Sequence, residues 1–256
     1  MSKIKHLFTT LQTKASALTL TTPGAIILGS IIIALAIVTY GFIIANGTGK
    51  STTSASNPLP ALLKSVSVKE KAFNACLQSG TMTQFVNDSI TDGSLAGVNG
   101  TPNTFIIRVE NAIPYVVANI SGAVSYDVFK EAVEQALSST TATTLPIFKG
   151  KMVQEEETER GTISGQVYVI EYSDSECPFC IRAHSTMKQL RSEYGTRINF
   201  VYRHFPLTSI HPHAQKEAEM IACIQSLGGA KAMYPFIDGL FSFKIKNNIG
   251  YIPTEQ

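Results

Sequence analysis

The longest apolar stretch of the chain is Pro23 to Ala45, PGAIILGSIIIALAIVTYGFIIA, which carries no charged residue. At about 1.5 Å of rise per residue it covers the roughly 30 Å hydrocarbon thickness of a bilayer. A globular helix would keep polar positions on one face, so a membrane-spanning helix over 23–45 is predicted. Lys3, Lys5 and Lys14 precede it with no acidic residue among them. The positive-inside tendency then makes 1–22 a cytoplasmic tail and everything after the span extracytoplasmic. Residues 46–58, NGTGKSTTSASNP, read as a small, polar tether. Their GKS is no phosphate loop, because Ile44 stands where the upstream glycine is needed.

Beyond the tether the periodicity shifts. Ser67 and Glu70 form a capping box for a helix through Cys76 to Gln78, and a second helix is expected over Met82–Leu95. TFIIRVE (Thr104–Glu110) and YVVANI (Tyr115–Ile120) flank Asn111–Pro114 and predict a hairpin. In SYDVFKEAVEQAL, Val128, Phe129, Ala132, Val133, Ala136 and Leu137 share one helical face. Residues 138–165 turn Thr-rich and then acidic, which reads as a linker with a short strand at Leu145–Phe148. VYVIEYSD (Val167–Asp174) is apolar on both faces, as a central strand of a covered sheet should be. A helix then runs to Tyr194, RINFVYRHF (Arg197–Phe205) gives another strand, and helices follow over His211–Gly229 and MYPFIDGLFSF. Strand, helix, strand implies a mixed α/β fold.

Composition sets limits on function. Hydrophobic residues make up 44% of the 256, enough for a core, and a net charge of +2 gives no nucleic-acid surface. Four cysteines in a chain of this length do not make a disulfide scaffold. Cys177 and Cys180, however, stand at the start of a helix after a buried strand. Unsatisfied N–H groups and the positive dipole end there favour a thiolate on Cys177, and Cys180 lies on the same face to close a disulfide. Pro178 suits the first turn, where no donor is needed. Glu171 lies inside the strand, either as a buried acid that shuttles protons for the thiols or as a strand-end carboxylate reaching solvent. His184 falls in the Ile181, Met187, Leu190 stripe and reads as a packed histidine. His211 and His213 could join the cysteines as metal ligands, an alternative kept open here. No cofactor is expected.

VIEYSDSECPFC and FPLTSIHPHAQKEAE resemble the active-site strand and the segment after it in DsbA-like thioredoxin-fold oxidoreductases. GVNGTPNTFII (Gly97–Ile107) is similar to that family's cis-proline loop, and ISGAVSYDVFKEAVEQAL to its C-terminal strand and helix. The resemblance implies a thioredoxin-like fold with an inserted helical subdomain. It makes Cys177 the exposed nucleophile, Cys180 the buried resolving cysteine, Thr101–Pro102 a cis peptide beside them and Glu171 the buried acid. The order departs from the family: Pro102 precedes the CxxC. The family's second half occupies 59–137 and its first half 166–256, joined by a linker over 138–165, as in a circular permutation; halves swapped between two chains of a dimer, or a truncated tandem protein, are the other readings. Cys76 and Cys223 sit on apolar sides of helices that belong to one subdomain in the family. They are expected to form a structural disulfide, the other reading being two buried free thiols. The implied activity is formation or exchange of disulfides in unfolded or reduced exported proteins, with a membrane redox partner reoxidising the pair. A redox-inactive interaction domain is a further alternative. Phe179 cannot donate the hydrogen bonds a histidine there would give the thiolate, so the pair should be less oxidising than the strongest members of the family.

Overall fold

The strand predicted at Val167–Asp174 is buried along its whole length, as its two apolar faces require. It lies in a computed structural model that describes residues 57–138, 145–153, 157 and 166–251, all within one unit, Ala55–Gln256. The tail, span and tether predicted over 1–56 lie outside the described residues, apart from the tether's last two positions. Among the described residues no helix is long and apolar enough to cross a membrane.

In chain order the elements are α1 (Leu59–Ser65), α2 (Glu70–Ser79), α3 (Thr81–Ala96), β1 (Asn103–Glu110), β2 (Ile113–Ser121) and α4 (Tyr126–Ser138). There follow β3 (Val167–Ser173), α5 (Pro178–Tyr194), β4 (Asn199–His204) and α6 (Ala214–Asn247). The sheet order is β2-β1-β3-β4. β1 pairs antiparallel with both β2 and β3, and β3 pairs parallel with β4. This is a mixed four-stranded sheet with flanking helices, a thioredoxin-like α/β fold.

Alternation along β3 decides what each face meets. Val167 and Val169 join Ile106 and Phe200 against Phe129 and Val133 of α4, Met187 and Leu190 of α5, and Ile221 and Leu240 of α6. Tyr168, Ile170 and Tyr172 point the other way, into a cluster with Phe105, Ile107 and Val201. Phe148 and Val153 complete that second cluster. At about 1.5–3 kcal/mol for each large apolar side chain removed from water, neither face could be left open.

Several sequence expectations need correction. The Ser67–Glu70 capping box does not form: Lys69 is the N-cap of α2, no side chain caps it, and Ser67 sits outside with φ 59°. The hairpin loop is shorter than Asn111–Pro114. Asn111 (φ 50°) and Ala112 (φ 64°) make the turn, and Pro114 already lies in β2. Two consecutive left-handed residues match the twist of the strands, which is why the turn is tight. No strand forms at Leu145–Phe148, only a bridge between Ile147 and Tyr115. The Val116 N–H donates to the Pro146 carbonyl at 2.7 Å and the Phe148 N–H to the Pro114 carbonyl at 2.8 Å, so this part of the linker lies along the edge of β2. Val128 is 44% exposed rather than part of the buried face of α4. The two helices expected after His211 run nearly continuously as α6, broken only at Gly229 (φ 67°, ψ −173°). A Cβ there would meet nothing, so glycine is used for its backbone conformation alone.

Candidate active site

Parallel pairing of β3 with β4 brings Glu171 opposite Tyr202, and antiparallel pairing with β1 brings it opposite Thr104. The chain then leaves β3, turns through Asp174–Glu176 and enters α5 at Pro178, with Cys177 as its N-cap in an extended conformation. The turn is closed by the Cys177 N–H, which donates to the Asp174 carbonyl at 3.1 Å. The Asp174 N–H faces the Cys180 sulfur at 3.4 Å. Both cysteines are free thiols.

From the other half of the chain, α3 ends at Gly97 and delivers Thr101 and Pro102 ahead of β1. The Thr101–Pro102 bond is cis. The Cys177 thiol donates to the Thr101 carbonyl at 3.4 Å. Thr101, Pro102, Cys177 and Cys180 are thus brought together, with Glu171 buried in the adjoining strand at 5% exposure. Cys177 itself is only 3% exposed rather than open to solvent, the Thr101–Pro102 loop lying against it.

The two thiols are driven apart electrostatically. Hydrogen bonding from Cys180 lowers Cys177 to about 5, with further help from the Thr101 side chain and the N–H groups of Cys180 and Phe179, against the opposing effect of burial. Burial raises Cys180 well above the ordinary thiol value, and the neighbouring Cys177 raises it further. One sulfur is therefore a thiolate at neutral pH and the other a thiol, the division of labour that thiol–disulfide exchange needs.

Burial pushes Glu171 up to about 7, while the Ser173 hydroxyl and the Arg191 guanidinium pull it back. Because the folded value lies above the unfolded one, folding takes up a proton between about pH 4.5 and 7, and stability falls as pH rises through that window. Glu171→Gln should be neutral near pH 4 and stabilising near pH 8, by up to about 3 kcal/mol. Chemical denaturation at the two pH values measures this, and an equal effect at both would contradict it.

The remaining predicted residues lie in other contacts. His184 Nε2 is 3.1 Å from Asp238, and its ring stacks on Phe241 at 4.6 Å. Cys76 and Cys223 are joined as a disulfide between α2 and α6. His211 Nδ1 lies 2.7 Å from Asp174, and His213 stacks on Tyr251 at 4.0 Å. The metal-binding alternative is corrected by this arrangement: among the described residues no group of three or more His, Cys, Asp or Glu could hold a metal ion. Sequence reasoning missed Asp174, Ser175, Glu217 and Lys244, which gather behind the turn. The only signal in the sequence was the pair of acids at 174 and 176 directly before CPFC.

Fold and cysteine pair together define a thiol–disulfide oxidoreductase-type active site on a thioredoxin-like domain. The family described as Thioredoxin matches residues 154–250. Part of the chain is similar to the Na(+)/H(+) antiporter NhaA 3 of Salinispora tropica, 37% identical over 78 residues, which are 30% of this chain and 12% of the antiporter. The Na(+)/H(+) antiporter NhaA 1 of Salinispora arenicola is 45% identical over 60 residues, 23% of this chain and 9% of that protein. The NhaA antiporter of Herminiimonas arsenicoxydans is 30% identical over 83 residues, 32% and 12%. The chain spans about a tenth of the length of these curated relatives. No solved structure matches it.

Proposed function

We propose that this protein is a membrane-anchored, DsbA-like protein disulfide oxidoreductase that forms or exchanges disulfides in exported proteins on the extracytoplasmic side. The observation that carries the reading is the Cys177–Cys180 pair at the N-terminus of α5, with the Cys177 thiol held 3.4 Å from the Thr101 carbonyl that precedes Pro102. A proline offers no N–H of its own, which leaves the loop free to lie against a substrate strand beside the sulfur.

In the oxidising direction a substrate thiolate attacks the Cys177 sulfur of the Cys177–Cys180 disulfide. The Cys180 sulfur leaves with the electron pair and takes a proton, for which Glu171 is the nearby buried donor. A second substrate thiolate then attacks the substrate sulfur of the mixed disulfide, and Cys177 leaves as a thiolate. A low value for Cys177 makes it the better leaving group. The substrate is oxidised, the pair is reduced by two electrons, and a membrane redox partner takes those electrons to restore the disulfide.

The permuted order is part of this reading. It is supported by β1 of the 59–137 half pairing with β3 of the 166–256 half within one chain, the linker lying along the edge of β2. The anchor is assigned to 23–45 from its sequence, and similarity to proteins named as Na(+)/H(+) antiporters agrees with a membrane setting. The full-length chain should accelerate oxidation of a reduced dithiol peptide in glutathione buffer, or reduction of insulin by dithiothreitol. Neither reaction rising above its uncatalysed rate would overturn the proposal.

A further inference from the structure

The turn that presents Cys177 is held from behind by charged groups that the exchange chemistry above does not use. The Asp174 carboxylate accepts from the Glu176 N–H at 2.8 Å and the Leu207 N–H at 2.9 Å, and pairs with His211. The Glu176 carboxylate accepts from the His213 N–H at 2.7 Å. Ser175, between them, is gripped at both ends. Its hydroxyl donates to Glu217 at 2.6 Å, and its carbonyl accepts from Lys244 Nζ at 2.7 Å. Lys244 also donates to Glu217, and the side chain of Lys244 is 0% and that of Glu217 3% exposed. A lysine and a glutamate removed from water at this depth are costly unless they answer to something specific.

We propose that the buried Lys244–Glu217 pair is a positioning unit for the nucleophile: it fixes the Asp174–Cys177 turn through Ser175 and sets how strongly the site holds a thiolate on Cys177. The Lys244 charge favours that thiolate and the Glu217 charge opposes it. The inference rests on the oxidoreductase reading. Four ionisable groups face the ammonium or its partners from the packed elements: Glu217 on α6, Asp174 and Glu176 in the turn, and His211 before α6. Burial pulls Lys244 below its ordinary value, and Glu217, Asp174 and Glu176 push back. Three carboxylates beside one ammonium would leave the turn electronegative, so the lysine offsets a field that would otherwise oppose the thiolate. Only Glu176 separates Ser175 from Cys177, which keeps the ammonium on the order of 10 Å from the sulfur. In that range a buried charge shifts a titration by about half a unit or more.

The test is alkylation of the reduced full-length chain by iodoacetamide across pH, with mass mapping to Cys177. Parent, Glu217→Gln, Lys244→Met and the double variant are compared. Glu217→Gln should lower the apparent Cys177 pKa and Lys244→Met should raise it, each by about half a unit or more, which is about threefold in the thiolate-to-thiol ratio. The double variant should fall between them. A merely structural support predicts a loosened turn and a raised pKa in both single variants, so two shifts of the same sign overturn the inference, as do four values within about 0.2 unit. Should Lys244→Met fail to fold, Glu217→Gln and the double variant decide, since a pair replaced by neutral groups of similar size is tolerated. A parent that shows no exchange and an unshifted Cys177 removes the oxidoreductase reading and this inference together. A parent that exchanges, with variants that do not shift, removes the inference alone.

Discussion

Cys177→Ser in the full-length chain is expected to bring thiol–disulfide exchange down to the uncatalysed rate, while Cys180→Ser should accumulate mixed disulfides with substrate thiols. The asymmetry follows from where each sulfur lies. Cys177 caps the N-terminus of α5 beside the Thr101 carbonyl, and Cys180 faces the Asp174 amide one turn further in. With Cys177 lowered to about 5, it is nearly all thiolate at pH 7. A free cysteine of pKa about 8.5 would be only about 3% thiolate there. The pH dependence of alkylation checks the assignment, and labelling that favours Cys180, or a midpoint near 8.5, would refute it. Stability should carry the same signature. A folded value below the unfolded one contributes stability that is present above the unfolded pKa and lost as pH falls through about 5. Glu171 has the opposite slope between about pH 4.5 and 7. Oxidising the pair removes the Cys177 contribution and leaves that of Glu171, so the oxidised chain alone should lose stability steadily as pH rises across that window.

The features legible in sequence were those encoded by neighbours along the chain. VYVIEYSD had to be a covered strand, and CPFC after it had to open a helix. What escaped depended on convergence in space. Lys244 stands in FSFKIK near the end of a helix, where a basic residue ordinarily serves the helix dipole and meets water. It is buried because the turn before Cys177 offers it the Ser175 carbonyl and its own helix offers the Glu217 carboxylate. Ser67 failed as a cap for the converse reason: a local preference of about 1 kcal/mol yields when the chain between α1 and α2 bends through a left-handed residue. Residues 145–153 read as linker by composition, yet Phe148 closes on Phe105 with ring centroids 5.1 Å apart. Its value is set by the uncovered second face of the sheet, which no local pattern announces.

The second large effect is on stability rather than chemistry. Removing the Cys76–Cys223 bridge by the double change to alanine is expected to cost about 3–5 kcal/mol. The bridge spans 147 residues of sequence, so in the chain-entropy account it restricts the unfolded chain by up to about 5 kcal/mol. Local packing gives α2 little to fall back on. Phe73 is the buried residue of that helix, whereas Cys223 lies in the centre of the core at 0% exposure. The crosslink therefore does for α2 what a wider apolar face would otherwise do. Without it, α2 should open in hydrogen exchange well before the sheet, and the global denaturation midpoint should fall with it. Both chains should be compared with the Cys177–Cys180 pair oxidised, so that thiolate formation does not enter the difference. Peptide mapping under non-reducing conditions fixes the starting state. Free thiols at both Cys76 and Cys223, or a stability loss under about 1 kcal/mol, would mean that α2 is held by its packing after all.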